Sequence, residues 1–267
     1  MSQYLSVFPC NYMSFQINCS QRIHKKGDRP QCRYRNPMHN DNNPRYQSMH
    51  ADRKTDSVSA QPVDSIIFDL DGTLWDSTAV VAKAWSSVLK QHPEVSFEAT
   101  SDNLKKLFGR PLPVIADIIM PDLEPEKRYE IIDACCEEEH RALKITPGTL
   151  YPRLEETLSH LSRRYPLFIV SNCEAGYIET FLEVTGFGGY FKDFECPGSS
   201  GLIKGPNNKL IMERNHLIAP VYVGDTQGDR DSAVYAGIAF CHASYGFGTV
   251  DSFDYKIETF SDLMELF

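Results

Sequence analysis

Asp69 and Asp71 stand two residues apart, directly behind the apolar run Ile66-Ile67-Phe68. Carboxylates so close repel each other unless a cation or a shared proton intervenes. A magnesium ion, which prefers hard oxygen ligands, would resolve that conflict. Gly72 lets the chain turn sharply after them, and Thr73 adds a hydroxyl and a backbone N–H where an anion could dock. Further along, Ser171-Asn172 follows the apolar run Leu167–Val170, and Asp225 and Asp229 follow Val221-Tyr222-Val223-Gly224. Lys204 precedes Gly205-Pro206. A nucleophile, a phosphate clamp and a metal are what phosphoryl transfer to a carboxylate needs.

These groups require elements that carry them to one place. Each of the three apolar runs is short and bounded by turn signals, which reads as a buried strand of a parallel sheet. Helical spacing separates them, so the fold class expected is α/β, a doubly wound parallel sheet. Ligands in such sheets sit beyond the carboxyl ends of the strands, which is where Asp69, Ser171 and Asp225 fall. Further strand-like runs are Ile238–Cys241 and Lys256-Ile257, and a last helix is expected at Ser261–Leu266.

Between the first and second strands lies a stretch with no strand-like segment. Asp76 and Ser77 are good helix N-caps, and Val81, Trp85, Val88 and Leu89 share one face. Helical segments are expected near 100–108, 114–120 and 125–143, broken at Gly109-Arg110-Pro111 and Pro121. The last presents Tyr129, Ile132, Cys136 and Leu143 on its buried face. Residues 76–145 therefore read as an inserted helical domain, with 61–75 and 146–267 forming the core. Helices are also expected near 176–184, 210–215 and 232–236, and Gly/Pro/Ser clusters at 186–189 and 197–201 mark loops.

The string Asp69-Leu70-Asp71-Gly72-Thr73 resembles the first motif of the haloacid dehalogenase superfamily. Ser171-Asn172, Lys204 and Gly224-Asp225…Asp229 resemble the second, third and fourth motifs, in order, over about residues 64–267. The resemblance implies a Rossmann-like core with a helical cap, of the subgroup containing phosphoglycolate phosphatase-like enzymes. It implies a magnesium-dependent phosphomonoesterase acting on a small phosphorylated metabolite. Asp69 would be the nucleophile and Asp71 the general acid/base. Thr73, Ser171, Asn172 and Lys204 would contact the phosphate. Magnesium would be held by Asp69, Asp71 (through its main-chain carbonyl) and Asp225, with Asp229 acting through water or through the lysine. Dehalogenases of the superfamily lack the second aspartate, so Asp71 argues for a phosphatase. A mutase and a non-catalytic binding protein of the same fold are the alternatives.

Several of these positions also have plainer explanations. Serine at a strand-to-helix junction is commonly an N-cap. An acid such as Asp229 is favoured near a helix start by the macrodipole. Lys209 rivals Lys204 as the third-motif lysine. Arg110 is a candidate specificity residue because its turn could face the core site, and a solvated loop arginine is the competing reading. Trp75 and Trp85 could line the cleft, although Trp85 also suits the interior of the helical domain. His92 and His140 read as surface groups.

The 267 residues carry a formal charge of −9, which argues against nucleic acid as a partner. No apolar run approaches the ~20 residues of a membrane helix. The eight cysteines form no C-x-x-C pair and read as reduced thiols of a cytoplasmic protein. Residues 1–60 differ from the rest, being rich in Asn, Gln, Ser, Arg and Pro with no sustained period, and read as disordered. They carry nine basic and four acidic side chains, a surplus of +5 that leaves −14 on the remainder. A transit peptide is compatible with that basic stretch, although no amphipathic Arg-rich helix is evident.

Overall fold

The apolar runs become neighbouring strands of one sheet. A computed structural model describes residues 62–267. The disordered extension read at residues 1–60 lies outside the described residues.

In chain order the elements are β1 (Ser65–Phe68), β2 (Trp75–Asp76), α1 (Thr78–Leu89), α2 (Ser101–Lys105), α3 (Leu112–Ile119), α4 (Pro125–Ile145), β3 (Thr149–Leu150) and α5 (Leu154–Leu161). There follow β4 (Leu167–Val170), α6 (Tyr177–Thr185), β5 (Phe191–Glu195), α7 (Pro197–Ser200) and α8 (Lys204–Asn215). The chain ends with β6 (Pro220–Gly224), α9 (Gln227–Ala236), β7 (Ala239–Ala243), β8 (Tyr255–Ile257) and α10 (Leu263–Leu266). The main sheet has the order β5-β4-β1-β6-β7-β8, with every pairing parallel. β1 is flanked by β4 and β6, and all its residues are buried. A strand buried on both faces cannot alternate polar and apolar residues, which is why it reads as a continuous apolar run.

The chain leaves the core for α1–α4 through β2 and returns through β3. These two strands form an antiparallel pair, Trp75↔Leu150 and Asp76↔Thr149. Two residues each are too few to register as strands in the sequence. Trp75 is fully buried beneath this pair and meets the rings of Tyr177 and Phe181 edge-on, at 5.9 and 5.0 Å between centroids. In α4 the buried positions are Ile131, Ile132, Cys135, Cys136, Glu139 and Leu143. Tyr129, expected on that face, is exposed.

Two differences from the sequence reading matter. β5 has a charge-rich sequence, Phe-Lys-Asp-Phe-Glu, because it is an edge strand. Its acids Asp193 and Glu195 are bridged by Arg214 of α8 at 2.7 and 3.0 Å, and charges on an edge discourage further pairing. Helix α8 starts at Lys204 rather than near Leu210. Gly205-Pro206-Asn207-Asn208 suggests a loop, yet Pro206 sits in the first turn, where a missing N–H costs nothing.

The five described cysteines are free thiols. Among the described residues no helix is long and apolar enough to cross a membrane.

The segment after β4 packs against α7 so closely that Gly198 has no room for a side chain. An added Cβ would overlap the backbone nitrogen of Ala175. Gly189, by contrast, faces open space. Gly198→Ala is expected to lower unfolding stability by about 2 kcal/mol or more, and Gly189→Ala by roughly 0.5 kcal/mol or less. Urea unfolding of the two variants checks this, and equal effects would contradict the close packing.

Candidate functional site

The polar groups at the strand ends meet where β4, β1 and β6 lie side by side. Asp69 follows β1, Ser171 follows β4 and Asp225 follows β6, as expected from parallel neighbours. Asp69, Asp225 and Asp229 are each at most 2% exposed. One carboxylate oxygen from each lies within 4.8 Å of the others.

Lys204 closes this cluster. Its ammonium lies 2.7 Å from Asp69 Oδ1 and 2.6 Å from Asp229 Oδ1, in a side chain 2% exposed. The competing lysine, Lys209, points elsewhere: it is exposed, with its ammonium 4.7 Å from the ring centroid of Tyr235. Burial pulls the Lys204 pKa down, but Asp229 and Asp69 more than reverse this and hold the ammonium charged. Asp69 moves the other way. Burial and then Asp229 push its carboxyl up, and the nearby ammonium offsets only part of the rise. Asp225 is likewise raised well above the usual carboxylate range, by burial and by both neighbouring acids. Three carboxylates against one ammonium leave negative charge uncompensated.

The donor set fits a hard divalent cation: buried carboxylate oxygens, an excess of negative charge and a backbone drawn in tightly around them. Gly72 has φ +83°, and a Cβ there would overlap the Asp225 carboxylate. A Cβ at Gly246 would meet the Asp225 side chain and the Gly72 carbonyl. Asp225 is further oriented by Phe247 N–H, which donates to Oδ2 at 2.6 Å.

Asp229 is occupied by other partners. Its Oδ2 accepts from the N–H groups of Asp225 and Thr226 and from the Thr226 hydroxyl, at 3.1, 2.8 and 2.7 Å. With Thr226 it forms the capping box that starts α9. Its remaining oxygen takes Lys204, so one carboxylate both begins a helix and aims a lysine.

Asp71 sits apart, held by two hydroxyls. Ser77 Oγ donates to Oδ1 at 2.5 Å and Tyr177 OH at 2.9 Å. Burial pushes the Asp71 carboxyl up to about 7, against the pull of the Ser77 hydrogen bond. Both hydroxyls engage Oδ1, which leaves Oδ2 for exchange of a proton. Ser77, expected as an N-cap, makes no cap hydrogen bond. Asp76 takes that role, accepting from Thr78 N at 2.9 Å.

The remaining expected residues are placed as follows. Ser171 is 5% exposed and lines a cleft between core and helices. Asn172 lines it too, with its side chain spent on positioning. Nδ2 donates to the Gly109 carbonyl at 2.8 Å, and Oδ1 accepts from Lys204 N at 3.1 Å. Thr73 is fully buried, and its hydroxyl faces Asp225 Oδ1 at 3.4 Å rather than the cleft. Arg110 is exposed at the cleft lining. His140 is not a surface group: its Nε2 is buried without a partner and its ring centroid lies 5.9 Å from that of Tyr177.

The cleft has room for about 60 Å³ of water and reaches from Asp69 and Asp71 up to Trp85, Ile115, Cys136 and Glu139 of the helical domain. Tyr177, Glu139 and Glu174 are among the members that sequence reasoning missed. No local pattern marks Tyr177. Glu139 did leave a signal, since it falls between Cys136 and Leu143 on the apolar face of α4. Its Oε2 accepts from Trp85 Nε1 at 2.7 Å, and burial pushes its carboxyl up to about 8.

That shift makes stability depend on pH. Below about pH 4.5 Glu139 is neutral in both folded and unfolded chains; between 4.5 and 8 only the folded chain keeps its proton. Its contribution to stability therefore falls as pH rises through that window and levels off above 8. Glu139→Gln retains an acceptor for Trp85 and removes the dependence. The variant is expected to melt higher than the parent by a margin that widens from pH 5 to pH 8. Thermal unfolding at the two pH values checks it, and a constant margin would contradict the burial of a titrating carboxyl.

The same core and motif order appear in known proteins. The family model for haloacid dehalogenase-like hydrolases matches residues 66–243. A phosphoglycolate phosphatase of Vibrio parahaemolyticus is 28% identical over 229 residues, covering 78% of this chain and 98% of that protein. One from Vibrio vulnificus is 31% identical over 206 residues, covering 71% and 87%. Among solved structures, a haloacid dehalogenase-like family hydrolase from Streptococcus pneumoniae superposes with a TM-score of 0.66 at 21% identity, covering 76% of this chain and 98% of that one. CbbY from Rhodobacter sphaeroides, in complex with phosphate, gives 0.65 at 16% identity, covering 76% and 96%. With a match across most of the chain and the acidic cluster in place at the strand ends, this chain belongs to the haloacid dehalogenase-like hydrolases.

Proposed function

We propose that this hydrolase is a magnesium-dependent phosphatase that cleaves small phosphomonoesters through an aspartyl-phosphate intermediate. The observation that carries the reading is the buried Asp69–Lys204–Asp229 arrangement with Asp71 held beside it. Lys204 engages Asp69 Oδ1, leaving Oδ2 to attack phosphorus. As the new O–P bond forms, the bond from phosphorus to the alcohol oxygen breaks, and Asp71 passes its proton to that oxygen. Water then attacks the aspartyl phosphate, Asp71 takes a proton from the water, and inorganic phosphate and Asp69 are released. Lys204 and the Ser171 hydroxyl stabilise the phosphoryl oxygens, where preorganised charge contributes most. Asp69, Asp225 and the Asp71 main-chain carbonyl would hold magnesium, which when bound screens the nucleophile from the phosphate dianion. Asp229 acts through Lys204, and Asn172 through the same lysine's backbone. Arg110, at the cleft lining, is a candidate for contact with the alcohol half.

The relatives' name makes phosphoglycolate the first ester to assay. Phosphate release from a panel of phosphomonoesters, with and without Mg²⁺, tests the reading. Activity should require Mg²⁺, and Asp69→Asn should lower kcat by at least about a thousandfold. Unchanged phosphate release from Asp69→Asn would remove the assignment of the nucleophile.

Tyr177 is a positioning residue for Asp71. Tyr177→Phe removes a donor that favours the ionised carboxylate, so the Asp71 pKa should rise. The variant's kcat should fall by about tenfold, and the alkaline limb of its pH–rate profile should move to higher pH. A fall in kcat without movement of that limb would mean that Tyr177 is only a packing residue.

A further inference from the structure

We propose that the cleft selects phosphomonoesters whose alcohol half carries an amine, with Glu139 receiving the ammonium. The inference rests on the phosphatase reading and specifies its substrate class. Glu139 lies on α4, 8% exposed, on the helical-domain side of the cleft. Trp85 Nε1 occupies Oε2, whereas Oε1 has no hydrogen-bond partner among the described residues. A carboxyl this deeply buried ordinarily has its hydrogen-bonding capacity satisfied. Here half of that capacity is unfilled in a residue that lines the cleft.

The fold does not require an acid at this position. Trp85 needs one acceptor, which a glutamine amide would supply equally well. The rest of the lining shows which ligand an acid would suit. Glu174 and Asp71 also lie along the cleft, and the one cationic side chain among its lining residues is the exposed Arg110. A carboxylate on the alcohol half would find acids rather than cations around it, Arg110 apart, a mismatch of the kind that builds specificity. An ammonium would displace to water the proton that Glu139 keeps up to about pH 8 in the empty folded chain, and would fill Oε1 with a charge-assisted hydrogen bond. Phe108 and Tyr177 line the same cleft, and aromatic rings tolerate alkylammonium groups.

The test is kcat/KM with Mg²⁺ for esters of matched size: phosphoethanolamine, ethyl phosphate, ethylene glycol phosphate and phosphoglycolate, beside a chromogenic aryl phosphate. Phosphoethanolamine is expected to exceed ethyl phosphate by about tenfold or more, with phosphoglycolate the poorest. In Glu139→Gln the ratio of phosphoethanolamine to ethyl phosphate should fall by about tenfold, chiefly through KM. Preference for phosphoglycolate or for the glycol ester, or an unchanged ratio in a folded Glu139→Gln, would overturn the amine assignment while leaving the phosphatase reading intact. Absence of Mg²⁺-dependent release from every ester, the aryl phosphate included, would overturn both.

Discussion

The Lys204 ammonium, enclosed between Asp69 and Asp229, sets the terms for everything around it. Removing a charge from water costs several kcal/mol unless it is paired with good geometry. Two short contacts supply that geometry, but they come from opposite directions: one from the end of β1, the other from the first turn of α9. The lysine itself opens α8. Three elements must therefore hold their ends in register, and the surrounding contacts do this. Asn172 fixes the lysine's backbone and Thr226 fixes Asp229. Tyr222 closes the floor, donating to the Val170 carbonyl at 2.7 Å.

The balance within this group is uneven. One ammonium among three buried carboxylates leaves a region that strongly attracts cations, and the raised positions of Asp69 and Asp225 are the mark of that strain. Further up the cleft Glu139 repeats the pattern, an acid kept where an amide would fold better. Costs of this kind concentrate where binding or chemistry needs them. Asp69, Asp71 and Glu139 line one cleft, so the two acidic zones contribute to a common electrostatic field.

Much of this was legible in the amino-acid sequence. The continuous apolar runs marked β1, β4 and β6, and the polar residue closing each run marked the site. What could not be read from the chain depended on contacts across it. Lys204 and Lys209 could not be told apart without knowing where α8 begins, and the helix was legible only near 210–215 although it starts at Lys204. Ser77 and Asp76 are both acceptable caps, and only the position of Asp71 shows that the serine hydroxyl is diverted to it, leaving the cap to Asp76. Thr73 carries a hydroxyl suited to phosphate, yet the turn at Gly72 points it toward Asp225. β5 was hidden because an edge strand has no need of a wholly apolar sequence. Tyr177 reaches Asp71 from beyond the helical insertion, and no spacing rule spans that distance.

The place of β1 has a consequence for how the molecule assembles. Among the described residues it is the first strand of the main sheet to be synthesised, and it has neighbours on both sides, yet both neighbours lie beyond the entire α1–α4 insertion. Closing such long loops must precede any reward from strand pairing, which slows folding. Until β4 and β6 arrive, Ile66, Ile67 and Phe68 are an unpaired apolar strand. The α1–α4 helices, with their local contacts, can form during that interval. The insertion that roofs the finished cleft is thus also the segment best suited to fold while the centre of the sheet waits.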